Sequence, residues 1–75
     1  MSNFERVCAI VHDVTGMPCE KITEDMEVAS LRLRPLDLCE LVMDVEDAFG
    51  VVIEDESKLH SIYDLLRAVE EGPAA

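Results

Sequence analysis

Apolar residues recur at helical spacing in three separate stretches of this chain. In the first, Phe4, Val7, Cys8, Val11 and Val14 fall at i, i+3, i+4, i+7 and i+10, while Glu5, Arg6, His12 and Asp13 take the other side. That period predicts an amphipathic helix with one buried face. Ser2 and Glu5 have the spacing of a capping box at its start, and Gly16 followed by Pro18 marks its end. The second stretch, Pro35 to Phe49, places Leu38, Leu41, Val42, Val45, Ala48 and Phe49 on one face. Pro35 suits a first helical position because its missing N–H has no partner there anyway, and Gly50 is the stop. The third opens on Ser61 and Asp64, a second capping box with Asp in place of Glu. It carries Ile62, Leu65, Leu66 and Val69 inward and closes at Gly72-Pro73.

Between these stretches the period is lost. From Cys19 to Arg34 only scattered anchors remain, Ile22, Met26, Val28, Leu31 and Leu33, so this segment reads as a long loop pinned across the helices. Val51-Val52-Ile53 has no partner run for a sheet and reads as a connector with Ile53 plugging the core. Asp55 is a candidate N-cap for one short turn through Lys58 and Leu59. The expected fold is all-α, three main helices and a short one, in a single domain spanning 1–75.

The second helix has a further pattern. Opposite its core face Leu36, Cys39 and Met43 form a narrow apolar line bordered by Asp37, Glu40, Asp44, Glu46 and Asp47. A bundle helix needs one buried stripe, so an apolar line inside an acidic border is a candidate docking surface. The border has a cost. Like charges at i, i+3 or i, i+4 each cost about 0.2–0.5 kcal/mol, and Glu46 and Asp47 add roughly 0.3–1 kcal/mol apiece at the negative end of the helix dipole.

Charge extends this picture. The net charge is −11, and from Pro35 to Ser57 eight acidic residues occur with no Lys or Arg. Such a surface repels nucleic acid and anionic membranes and attracts basic protein patches. A chain of 75 residues with no Trp, one Tyr and two Phe builds a core of Leu, Val, Ile and Met, and has little room for a buried active site. Carboxylates on a solvated ridge lack the shielded pocket that separates the pKa values of a general acid and base, so catalysis is not expected. Cys8 and His12, four apart, fall in the core stripe and at its edge, a poor metal pair, and no calcium loop motif occurs. Three widely spaced cysteines make no disulfide framework and suit a reducing compartment. With no membrane-length apolar run and no signal-peptide pattern, a cytoplasmic monomer is expected.

These residues together resemble an acyl carrier protein: the capped first helix, the long loop from Gly16, the run Leu36-Asp37-Leu38-Cys39-Glu40-Leu41-Val42-Met43, and the spacing of Phe49, Ile53, Asp55 and Glu56. The resemblance implies a four-helix bundle whose second helix begins with an Asp-Ser-Leu motif. The motif serine carries a phosphopantetheine arm, and partner enzymes set basic patches on the second helix. Leu36 matches the motif leucine, and Glu40, Met43, Glu46 and Asp47 match docking positions. The motif serine and aspartate fall on Pro35 and Arg34, and the preceding Leu-Gly turn reads Leu31-Arg32.

Pro35 has no hydroxyl, so no cofactor is expected. The chain is expected to be a non-enzymatic, acidic binding module of a fatty acid, polyketide or peptide assembly system. It would contact basic partners through Leu36, Asp37, Cys39, Glu40, Met43, Asp44, Glu46 and Asp47. The alternative is a working carrier bearing 4′-phosphopantetheine on another residue such as Ser30. A helix starting at Ser30 would be broken by Pro35 in its second turn.

Overall fold

A computed structural model describes residues 2–53 and 56–71. Three α-helices carry the fold: α1 (Asn3–Thr15), α2 (Pro35–Phe49) and α3 (Ile62–Glu71), with single 3-10 turns at Cys19–Lys21, Val28–Leu31 and Glu56–Lys58. The expected cap at Asp55 and the stop at Gly72-Pro73 lie outside the described residues.

Each helix end has an identifiable cause. The Ser2 hydroxyl accepts the Glu5 N–H at 3.1 Å and the Glu5 carboxylate accepts the Ser2 N–H at 3.1 Å, which occupies two donors that the first turn leaves open. Gly16 and Gly50, at φ 79° and 66°, end α1 and α2 in the left-handed conformation that closes a helix. At α3, Ser61 Oγ accepts the Asp64 N–H at 3.2 Å. The Asp64 carboxylate in turn accepts N–H groups from Ser61 at 3.1 Å and His60 at 2.9 Å.

The core is where the three periodic faces meet: Val7, Cys8 and Val11 of α1, Leu41 and Val45 of α2, and Ile62, Leu65, Leu66 and Val69 of α3. Val42 is also buried. Two expected core positions differ. Ala48 is exposed. Leu38 is half-buried and lies outside the core cluster. In the connector Ile53 packs half-buried against the core as expected, and Val51 is buried as well.

The long connection is pinned by Ile22, Val28 and Leu31, all buried, with Met26 and Leu33 packed at the margin. It is also stitched by backbone. Glu24 and Met26 carbonyls accept the Tyr63 and Ile62 N–H groups at 2.7 and 2.9 Å, Val28 N–H donates to the His60 carbonyl at 2.8 Å, and Glu27 pairs with Ser61 in an isolated antiparallel bridge. The first two open donors of α3, Ile62 and Tyr63, are thus satisfied by the loop, which holds the chain entering α2 in place.

Candidate functional site

The outer face of α2 begins at an unusual entry. Arg34 is the N-cap residue, extended at φ −72° and ψ 158°, and its side chain makes no capping hydrogen bond. An extended residue before proline is what the Pro35 ring requires. Two residues earlier Arg32 sits left-handed at φ 54° and ψ 43°, closing the 3-10 turn Val28–Leu31. Arg32, Arg34 and Pro35 are all exposed.

Beyond this entry the apolar line is open to solvent. Leu36 is 83% exposed and Met43 61%, values unusual for large apolar side chains, and Cys39 between them is exposed too. Of the bordering acids Glu40 and Asp47 are exposed, while Asp37 and Asp44 are half-buried. Asp37 lies in the first turn of α2, where the helix dipole favours its charge.

Glu46 is set apart from the others. It is half-buried, and its Oε2 accepts the Ile53 N–H at 2.7 Å, so it ties the connector back to the helix. This hydrogen bond offsets part of the dipole penalty expected at that position, and it gives Glu46 a structural task at the rim of the face. Among the described residues Asp47 has no such bond.

Arg6, which the helical pattern merely places on the outside of α1, packs its guanidinium 4.2 Å from the Phe49 ring centroid and donates to the Ala48 carbonyl at 2.7 Å. The end of α2 is therefore clamped to α1. No local sequence signal marks this, because the contact joins residues 42 positions apart.

Ser30, the alternative attachment residue, lies in the 3-10 turn ahead of α2, exposed, with its hydroxyl donating to the Glu27 carbonyl at 2.6 Å. Cys8 and His12 make no common site. Cys8 is buried, and burial, with lesser effects from Cys19 and Glu5, pushes its thiol above the ordinary range. His12 is exposed, its Nδ1–H donating to the Met17 carbonyl at 2.8 Å. Among the described residues no three His, Cys, Asp or Glu side chains come together in a way that could hold a metal ion. An open, mostly apolar groove of about 360 Å³ lies between α1 and the turn at Cys19–Lys21, lined by Phe4, Glu5, Cys8, Ala9, Cys19 and Glu20. It does not touch α2. No described helix is long and apolar enough to cross a membrane.

Phosphopantetheine is joined through phosphate to a side-chain hydroxyl, and Arg34, Pro35 and Leu36 at the start of α2 supply none. The residues at this position do not fit the group. A family model described as the phosphopantetheine attachment site nonetheless matches residues 5–69 of the chain.

Proposed function

The chain belongs to the phosphopantetheine attachment site family, and from that premise we propose that it is a carrier-like docking module whose attachment position has become Pro35. Carrier domains of this family work with partner enzymes in assembly pathways and are typically not enzymes themselves. In this reading the outer face of α2 keeps the docking half of the carrier role, through Leu36, Asp37, Cys39, Glu40, Met43, Asp44 and Asp47, with Glu46 shaping the rim. The pathway is one that assembles fatty acids, polyketides or peptides, and the module acts in the cytoplasm as a monomer.

The observation that carries this reading is the pairing of Leu36 and Met43, both largely exposed, with an acidic border on a helix that already buries another face. A large apolar side chain held in water gains about 25 cal/mol per Å² when a partner covers it. Basic residues around the covering patch would relieve the crowding of like charges.

Intact-mass measurement after incubation with a phosphopantetheinyl transferase and coenzyme A tests the attachment half. No mass gain is expected for the natural sequence, nor for Ser30→Ala. A gain of one phosphopantetheine that Ser30→Ala abolishes would instead establish the working-carrier alternative. That alternative draws on the exposure of Ser30 close to the start of α2, but its hydroxyl is already engaged by the Glu27 carbonyl.

A further inference from the structure

We infer that the outer face of α2 is a bipolar strip, and that its partner is a protein segment carrying carboxylates at the Arg32 and Arg34 end and Lys or Arg at the Glu40, Asp44 and Asp47 end. This inference rests on the docking reading above and adds the chemistry of the occupant.

The positive charges of the chain are few and unevenly placed. The chain has six Lys and Arg against 17 Asp and Glu. Arg6 is engaged by Phe49 and Ala48, and Arg67 by Glu71 at 2.6 Å. Arg32 and Arg34, by contrast, are exposed, and among the described residues neither guanidinium has a partner, although acids outnumber bases nearly threefold. They flank the entry of α2 in the chain, four and two positions ahead of Leu36, which at 83% is the most exposed large apolar side chain among the described residues. From Leu36 onward the helix carries only acidic charge.

The arginines and the far acids are well separated. Asp44 and Asp47 stand ten and thirteen positions beyond Arg34, about 15 and 20 Å at 1.5 Å per residue, while Glu40, six positions on, is about 9 Å away. The screening length at physiological salt is about 8 Å. A uniformly basic patch laid along the strip is attracted by Glu40, Asp44 and Asp47 but meets Arg32 and Arg34 across the contact around Leu36. Like charges brought together at an interface are strongly disfavoured. A segment whose charge changes sign along its length, with apolar residues over Leu36, Cys39 and Met43, avoids that repulsion and pairs both arginines.

Two synthetic helical peptides of equal length and identical apolar residues test this at about 0.15 M salt. One has Lys at every charged position, and the other has Glu toward one end and Lys toward the other. The natural chain should bind the bipolar peptide about fivefold more tightly, a difference on the order of 1 kcal/mol. Arg32→Glu with Arg34→Glu should reverse the order, and Arg32→Gln with Arg34→Gln should abolish the preference, with circular dichroism checking that both variants keep their helices. Equal or tighter binding of the all-Lys peptide by the natural chain overturns the bipolar strip and leaves the docking reading standing. If neither peptide binds, the docking reading fails and this inference with it.

Discussion

Arg32 occupies a backbone conformation, φ 54° and ψ 43°, that residues with a Cβ avoid at a cost of about 1–2 kcal/mol. Glycine escapes that cost but loses more freedom on folding, by about 0.4–1 kcal/mol. The balance predicts that Arg32→Gly stabilises the chain by about 0.5–1 kcal/mol, read as a higher urea midpoint at unchanged m-value. The same substitution should weaken binding of the bipolar peptide. Unchanged or lowered stability would mean that the turn accommodates the Arg side chain without strain. Single residues were unevenly legible in the sequence. Pro35 could be read outright, because a fixed φ and a missing N–H mean the same thing in any context. Glu46 could not: on the helix it is one more acid in a border, and its bond to the Ile53 N–H depends on how the chain turns after Gly50.

At the level of the element, α2 has the range its apolar period predicted, Pro35 to Phe49, because proline and glycine punctuate both ends. The long connection was legible only as anchors. Its 3-10 turns close on local backbone groups and its bridge on the start of α3 some 35 residues away, and none of these groups carries a residue-specific signature. That junction has a predictable pH dependence. N–H groups of His60 first, and then of Ser61, together with the Ser61 hydroxyl, hold the Asp64 carboxyl below the usual range. Ser2 does the same for Glu5 at α1. A carboxyl lowered in the folded state contributes stability that is fully present above its ordinary pKa, about 4, and is lost as pH falls through the lowered value. Asp64→Asn should therefore be less stable than the natural chain at pH 7, with the gap closing in thermal melts taken progressively below pH 4. Ser61→Ala should cost about 1 kcal/mol at pH 7 and less in acid, because the hydroxyl also helps hold the Asp64 carboxyl low. A gap that persists unchanged into acid would assign the effect to lost packing instead of the charged cap.

For the molecule as a whole, the sequence pattern foretold the helical class because each apolar stripe has one period throughout its helix, and all three stripes meet in one core. The outer face of α2 was legible as an apolar line within acid. The positive charge of Arg32 and Arg34 ahead of that face was legible in the sequence as well, and the structure added that both are exposed with no partner among the described residues. The charge that marks the face also acts on the fold. A net charge of −11 on 75 residues, with Asp47 exposed near the negative end of α2, stores repulsion that folding concentrates. Salt shortens the reach of that repulsion from about 30 Å at 0.01 M to about 8 Å at 0.15 M. The melting temperature should therefore rise over this range, while affinity for a Lys-rich peptide falls because attraction between the molecules is screened in the same way. Opposite salt dependences of folding and docking are the signature of acids held together for contact at the expense of stability. If the melting temperature were flat across the range, self-repulsion would be a negligible cost, and the acidic border would need no docking role to explain it.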